Sequence, residues 1–89
     1  MFDELDRLCE TPAMSALLAH YAALAAPDRQ AWHHRAAAID GCEGRALTKL
    51  HGELIAYGWV ELNIDAGPAC YRVTAAGLRA LKQLRSEAA

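Results

Sequence analysis

Four residues in the middle of the chain lie at the spacing of one helix face and combine two cations, a hydroxyl and a glycine. They are Arg45, Thr48, Lys49 and Gly52. Arginine and lysine donate hydrogen bonds to guanine edges or phosphates, threonine contacts a phosphate or a thymine methyl group, and a small residue allows close approach. A helix in the DNA major groove requires this combination. An ordinary solvated helix surface has a similar composition, and the sequence leaves that alternative open.

Three further arginines could add contacts to a phosphate backbone. Arg72 is the only cation of a predicted β-hairpin, and Arg29 and Arg35 belong to a segment that also contains His33 and His34. With both imidazoles neutral, this segment supplies two charges. A polar helix surface is the alternative explanation for it.

Ligands suited to zinc occur in the same region, but their spacing does not predict a metal site. The candidates are His33, His34, Cys42 and His51. Adjacent histidines point to different sides of a helix, and neither a CxxC nor an HxxxH spacing occurs. A thiol- or metal-responsive sensor would require Cys42 and a histidine to converge in space. No cysteine has a recognisable nucleophile context and no glycine loop has a nucleotide-binding pattern, so we expect a protein that is not an enzyme and holds no cofactor.

Length and composition predict one small cytoplasmic domain. The 89 residues are 54 % hydrophobic with few aromatics, which favours a single, largely helical domain over residues 1–89. The net charge of −2 gives no global basic field. Three cysteines without paired spacing indicate a reducing compartment. No segment has the pattern of a signal peptide or a membrane span.

The candidate residues lie in a stretch, residues 45–74, that begins as a helix. Leu47, Leu50 and Leu54 recur at helical spacing and predict a buried face opposite the candidate residues. Gly58 follows the last apolar position and can adopt the left-handed conformation that ends a helix.

The same stretch continues as a hairpin. Val60, Leu62 and Ile64 alternate with other residues as on a half-buried strand, and residues 65–68 form a turn. A second strand over residues 70–73 leads to Thr74, a good N-cap for a last helix. Gly77 early in that helix costs about 1 kcal/mol relative to alanine, which indicates a close backbone contact.

The first half of the chain predicts two more helices. Thr11-Pro12 is a typical helix start, and the apolar stripe after it ends at Pro27. A second helix is predicted from Asp28 to Ile39, with Trp32, Ala36 and Ile39 facing inward and Asp40-Gly41 ending it. Residues 1–10 form either a short helix or an acidic arm.

Two segments carry a family resemblance. LIAYGWVELN resembles the join between recognition helix and wing in winged helix-turn-helix proteins, and YRVTAAGLRAL is similar to the return from the wing in small bacterial regulators of the MarR and PadR types. The resemblance implies a mainly α fold with a small β-hairpin (α+β), in which three to four helices precede or flank a two-stranded wing and a C-terminal helix. It also implies a transcriptional regulator that binds duplex DNA through the helix at about residues 44–57.

Members of this superfamily commonly dimerise through their terminal helices, which implies a homodimer here. The seam would consist of apolar residues from the first and last helices: Met14, Leu18, Tyr21, Leu81 and Leu84. The alternative is that these residues form the core of one chain. DNA-binding members usually carry Arg or Lys at the wing tip, but residues 63–68 have neither, and Asp65 would repel phosphate. A winged-helix module that binds another protein, without DNA affinity of its own, is therefore the alternative function.

Overall fold

Four helices and five short strands make up the described part of this computed structural model, which covers residues 4–39, 41–65 and 68–88. In chain order the elements are α1 (Glu4–Glu10), α2 (Pro12–Ala25), β1 (His33–His34), β2 (Ala38–Ile39), β3 (Cys42–Glu43), α3 (Gly44–Ala56), β4 (Val60–Asn63), β5 (Cys70–Val73) and α4 (Ala75–Ala88). An antiparallel sheet has the order β1-β5-β4, and β2 pairs with β3 as a separate hairpin. The protein is therefore a mainly helical α+β protein, as the sequence predicts.

The apolar faces of α2 and α3 meet in the core. Leu47 and Leu54 of α3 are fully buried and Leu50 is nearly so, which confirms the predicted inner face of this helix. Pro12 is the first residue of α2, and the carbonyl of Thr11 accepts the first hydrogen bonds of the helix. The buried residues of α2 are Met14, Leu17, Leu18, Tyr21 and Ala25.

The junction between α3 and β4 ends the helix as predicted. Gly58 has φ of 78°, in the left-handed region that glycine adopts without strain. Its N–H donates to the Ile55 carbonyl at 3.0 Å, and the N–H of Trp59 donates to the Leu54 carbonyl at 3.0 Å. These two bonds define a Schellman motif, which pairs the last helix carbonyls and sends the chain directly into β4.

The predicted burial pattern of the first hairpin strand is correct only at its start. Val60 is buried, but Leu62 is 44 % exposed and Ile64 65 % exposed, whereas Trp59 is buried. The reason is the position of β4 at the sheet edge. α2 packs against the central strand β5, and the contacts of α3 with β4 leave the far part of the edge strand exposed.

The predicted helix from Asp28 to Ile39 is wrong. This segment begins with a turn and contains two short strands: β1 pairs with β5, with His33 opposite Tyr71, and β2 pairs with β3. The Asp28 carboxylate accepts the N–H of Gln30 at 2.9 Å in a local turn and does not begin a helix. Tertiary bonding overrides the helical pattern of the alanine-rich segment, because the N–H of Ala36 donates to the phenol oxygen of Tyr21 at 3.0 Å.

This extended segment changes the predicted arrangement around α3. No helix in the described residues lies between α2 and α3, so two helices joined by a short glycine-containing turn do not occur there. The predicted two-stranded wing is part of a three-stranded sheet, since β1 adds to β5. Asp40, predicted to end the missing helix, lies outside the described residues.

Four of the five residues predicted for a homodimer seam are buried within one chain. Met14, Leu18, Tyr21 and Leu81 are buried within one chain, and Leu84 is half-buried against the same core. A small domain must use its largest apolar side chains for its own core. These residues therefore form the intramolecular core, which was the alternative that the sequence left open.

The N-terminus of α4 is fixed by a close contact with the start of the hairpin. The hydroxyl of Thr74 accepts the N–H of Gly77 at 3.0 Å and donates to the Gly58 carbonyl at 2.7 Å, so Thr74 is the predicted N-cap. The N–H of Thr74 donates to the Trp59 carbonyl at 2.9 Å. A Cβ at position 77 would collide with that same carbonyl and approach Val73 to 2.9 Å. The close backbone contact predicted at Gly77 is thus confirmed.

We expect Gly77→Ala and Gly52→Ala to change stability in opposite directions, although each adds one methyl group to a helix. Overpacking against a backbone carbonyl that cannot move freely costs about 1–3 kcal/mol, so Gly77→Ala lowers the free energy of unfolding. Position 52 has nothing within 4 Å of an added Cβ, so Gly52→Ala raises the free energy of unfolding by about 0.5–1 kcal/mol. Urea denaturation measures both. Equal effects of the two substitutions would contradict the close contact at Gly77.

Candidate nucleic-acid interface

The outer face of α3 presents all four residues that the sequence singles out. Arg45, Thr48, Lys49 and Gly52 are exposed, because Leu47, Leu50 and Leu54 turn the opposite side of the helix into the core. Neither Arg45 nor Lys49 makes an ion pair with a residue in the described ranges. Both charges on this face are therefore free to bind an anionic partner.

Arg35 joins this face from the extended segment. Its Nη2 donates to the Thr48 hydroxyl at 2.8 Å, and its Nη1 lies 3.5 Å from the Ala36 carbonyl. The sequence places Arg35 on a helix preceding α3, as a separate backbone contact. The extended conformation instead lays its guanidinium on α3 itself, so that three cations share one surface.

Thr48 is held in place by the same contact. Its hydroxyl accepts the bond from Arg35 and donates to the Gly44 carbonyl at 3.2 Å. Since a hydroxyl has a single hydrogen, it has none left to donate to a phosphate while the Gly44 bond persists. The methyl group of Thr48 is the part left for a partner, and Arg35 supplies the hydrogen-bond donors beside it.

Arg72 is bound within the chain. Its Nη2 and Nε lie 2.6 and 3.1 Å from Glu61 Oε2, and its Nη1 donates to the Gln30 carbonyl at 3.0 Å. The guanidinium also stacks over the Trp32 ring, 4.1 Å from its centroid. Glu61 neutralises the charge of Arg72, and the three contacts fix its position on the sheet.

Arg29 lies near Arg72 and not on the α3 face. Both arginines line a polar cleft of about 120 Å³ with Glu61 and Thr74, and Arg29 is exposed there. The candidate residues thus divide into two groups. Arg35, Arg45, Thr48, Lys49 and Gly52 lie on α3 or contact it, whereas Arg29 and Arg72 line the cleft.

The described part of the hairpin tip is apolar and acidic. Leu62 and Ile64 are its exposed large side chains. The N–H of Asp65 donates to Asn63 Oδ1 at 2.9 Å, which turns the chain just after β4. Apart from Arg72, the strands of this hairpin contain no arginine or lysine. A basic wing contact is therefore missing from the described hairpin.

Behind the exposed face of α3, a buried hydrogen-bond chain fixes the helix. His51 is 3 % exposed, its Nδ1 lies 2.9 Å from the Leu47 carbonyl, and its Nε2 lies 2.8 Å from the Tyr21 hydroxyl. The carbonyl can only accept, so Nδ1 carries the proton and Nε2 accepts from Tyr21. Tyr21 in turn accepts the N–H of Ala36, and the ring of Tyr71 lies 4.8 Å from that of His51. All three bonds are satisfied when His51 is neutral.

The sequence offers His51 as a possible metal ligand, but in the structure both of its ring nitrogens are used in buried hydrogen bonds to Leu47 and Tyr21. In the described residues, no group of three or more histidines, cysteines, aspartates or glutamates could hold a metal ion. Cys42 lies opposite Ile39 in the β2–β3 hairpin, and the cysteine opposite a histidine is Cys70, across from His34. A sensor based on Cys42 requires a histidine close to this cysteine, and these strand pairings do not place one opposite it.

An ion pair fastens α1 to the side of α3. Arg7 donates from Nε and Nη2 to the two carboxylate oxygens of Glu53 at 2.9 and 3.0 Å. These hydrogen bonds, and then the charges of Arg7 and Lys49, lower the pKa of the Glu53 carboxyl. Glu53 follows Gly52 of the candidate face in the sequence, and both of its carboxylate oxygens are hydrogen-bonded to Arg7. No periodicity argument predicts a pair separated by 46 residues.

Comparison with known proteins finds no family model, curated protein or solved structure that matches this chain. Among the described residues, none of the helices combines the length and the apolar character needed to cross a bilayer.

We expect the stability of the protein to fall as the pH drops below about 6.5. Burial lowers the pKa of His51 below its ordinary value of 6.5; the bond to the Leu47 carbonyl opposes this, and the charges of Arg35 and His20 add to it. The unfolded chain then binds a proton that the folded chain does not, so the stabilisation is complete above pH 6.5 and is lost below it.

His51→Gln tests this origin, because an amide oxygen can still accept from Tyr21 but does not titrate. The free energy of unfolding, measured in urea between pH 7.5 and 5, should fall less steeply in His51→Gln than in the wild type. The lower limit of this pH range lies above 4.5, the ordinary pKa of Glu53, so that titration of this carboxyl contributes little to the measured change. Parallel pH profiles for the two proteins would show that another group is responsible.

Proposed function

We propose that this protein is a small winged-helix DNA-binding protein and transcriptional regulator that contacts duplex DNA through α3. The observation that carries the proposal is the convergence of Arg35, Arg45 and Lys49 on the exposed face of one helix. None of these three makes an ion pair within 4 Å of an acidic residue in the described ranges, and the carboxylate of Glu53, which feels the charge of Lys49, is bound to Arg7. The exposed Gly52 lies on the same face and allows a close approach.

The arrangement of elements supports the winged-helix part of the proposal. α3 leads through Gly58 into the hairpin β4–β5, the chain returns into α4, and β1 completes a sheet of order β1-β5-β4. A helix with one exposed polar face beside a hairpin is the arrangement in which winged helices enter the major groove. The non-helical segment 28–39, made of a turn and two short strands, takes the place of the helix that ordinarily precedes the recognition helix.

The contacts have different roles in this proposal. Arg45 and Lys49 enter the major groove and contact guanine edges or phosphates, and the methyl group of Thr48 contacts a thymine methyl group. Arg35, fixed on Thr48, binds a phosphate at the groove margin. Arg29 is exposed and can add a backbone contact from the cleft, whereas Arg72 would first have to leave Glu61.

A second candidate function is favoured by the exposed apolar residues of the hairpin. Leu62 and Ile64 lie where DNA-binding members carry cations, and the net charge of −2 opposes long-range attraction to DNA. These features suit a module that binds another protein. Salt separates the two functions, because only DNA binding releases condensed counterions.

A fluorescent duplex titrated with the protein at increasing salt tests the proposal directly. If three phosphates are neutralised, log K against log[salt] has a slope of about −2.7, which is roughly a 500-fold loss of affinity over a tenfold rise in salt. We expect Lys49→Ala to reduce the magnitude of that slope by about 0.9. Lys82→Ala on α4 removes the same charge from another exposed position and should leave the slope unchanged.

Absence of binding at low salt would overturn the proposal in favour of the protein-binding module. Equal effects of Lys49→Ala and Lys82→Ala would indicate a nonspecific charge effect and would remove α3 from its assigned role.

Position 52 provides a second test in which stability and DNA binding change in opposite directions. Gly52→Glu and Gly52→Ala both replace a helical glycine at a position open to solvent, so both should raise the free energy of unfolding. Glutamate places a negative charge against the phosphates and should weaken DNA binding at least tenfold, whereas alanine should have a much smaller effect. Unchanged DNA affinity in a stable Gly52→Glu protein would show that DNA does not approach this face.

A further inference from the structure

β4 is an edge strand whose free side is suited to pairing with another strand. In the sheet order β1-β5-β4, one side of β4 bonds to β5, and no other strand of the described residues pairs with its other side. Leu62 is 44 % exposed and Ile64 is 65 % exposed on this strand and its continuation. An unpaired edge with exposed apolar side chains is a template for strand addition.

The register of the β4–β5 ladder shows which backbone groups are free. The N–H of Thr74 donates to the Trp59 carbonyl, so Trp59 and Thr74 are a hydrogen-bonded pair. Because such pairs alternate along an antiparallel ladder, Glu61 opposite Arg72 and Asn63 opposite Cys70 also bond to β5. The N–H and C=O groups of Val60 and Leu62 therefore point to the free edge.

A second copy of β4 complements this edge when the two-fold axis passes through Leu62. Leu62 then forms the hydrogen-bonded pair with Leu62 of the other copy, and Val60 lies opposite Ile64. On the outer face, Glu61 lies opposite Asn63. The Asn63 side chain accepts the Asp65 N–H through Oδ1, which leaves its amide N–H groups to donate to the Glu61 carboxylate.

The neighbouring two-fold registers are unfavourable. An axis at Glu61 places this carboxylate against its own copy, and an axis at Asn63 places Glu61 against Asp65. Like charges directly opposite each other destabilise a strand pair. Electrostatic complementarity thus selects Leu62 as the centre among these registers.

We propose that the protein forms a homodimer by antiparallel pairing of β4 with β4 of a second copy, centred on Leu62, which joins the two sheets into one. This interface replaces the terminal-helix seam, four of whose five residues are buried in each chain. It does not rest on the proposed DNA binding, because Arg45 and Lys49 lie on α3 and not on this edge.

Cysteine cross-linking tests the register. In a hydrogen-bonded pair the two Cα atoms of position 62 lie about 5.5 Å apart, within the range of about 4.4–6.8 Å that a disulfide spans. The two copies of position 64 are displaced by four residues, about 13 Å along the strand. Leu62→Cys should therefore form a covalent dimer under mild oxidation, while Ile64→Cys, at a more exposed position, should cross-link no faster than the wild type with its native thiols.

Light scattering at tens to hundreds of micromolar protein tests the dimer without a cross-link. We expect a dimer mass for the wild type and a monomer mass for Leu62→Lys, in which two ammonium groups would face each other across the axis. Gln83→Lys adds the same charge to an exposed position of α4 and should remain a dimer. Circular dichroism should show the same helix content in all three proteins, since Leu62 is already half exposed.

A monomeric wild type throughout that concentration range would overturn the proposal. So would a Leu62→Lys protein that stays dimeric, or equal cross-linking of Leu62→Cys and Ile64→Cys.

Discussion

The hydroxyl of Tyr21 connects three separate elements of the core through two buried hydrogen bonds. This one group, in a fully buried side chain, accepts the N–H of Ala36 and donates to His51 Nε2. It thereby joins α2, the extended segment and α3 at one point in the core. A buried polar group without a partner costs about 1–3 kcal/mol, so each of the three elements is held where its bond to Tyr21 is satisfied.

This constraint also explains the surface of the molecule. Because Ala36 is fixed to Tyr21, its neighbour Arg35 is directed outward and reaches Thr48 on α3. The position of Arg35 in the candidate interface therefore depends on the buried hydrogen bond between Ala36 and Tyr21, although neither of these two residues belongs to the interface. The other long-range cation contacts, Arg7 with Glu53 and Arg72 with Glu61, use arginine for internal pairing. The positive charge left free on α3 is local, which is consistent with a protein whose net charge is −2.

The junction between α3 and α4 fixes the hairpin to the helices. Gly58 reverses the chain, the Trp59 carbonyl accepts the N–H of Thr74, and Gly77 leaves room for that carbonyl. The base of the hairpin is thus tied to helix termini, whereas Leu62 and Ile64, farther along the chain, are exposed. The exposure of Leu62 and Ile64 follows from this geometry, since the helices cover only the base of the hairpin.

Elements with local sequence signals could be predicted before the structure was known. Thr11-Pro12, the leucine spacing of α3, Gly58 and the Thr74 cap are signals within a few positions of the chain, and each has the predicted place in the structure. Gly77 was recognised by its cost in a helix, although the carbonyl that it accommodates belongs to Trp59. The exposed face of α3 followed from the same periodicity. The tertiary structure explains why residues 28–39 form a turn and two short strands: their alanines fit a helix, whereas the Tyr21 bond to Ala36 and the pairing of His33 with Tyr71 join residues far apart in the chain. It also decided that Arg35 belongs to the candidate interface, that Arg72 is paired internally, and that β4 is an edge, since periodicity records the faces of an element but not its neighbours.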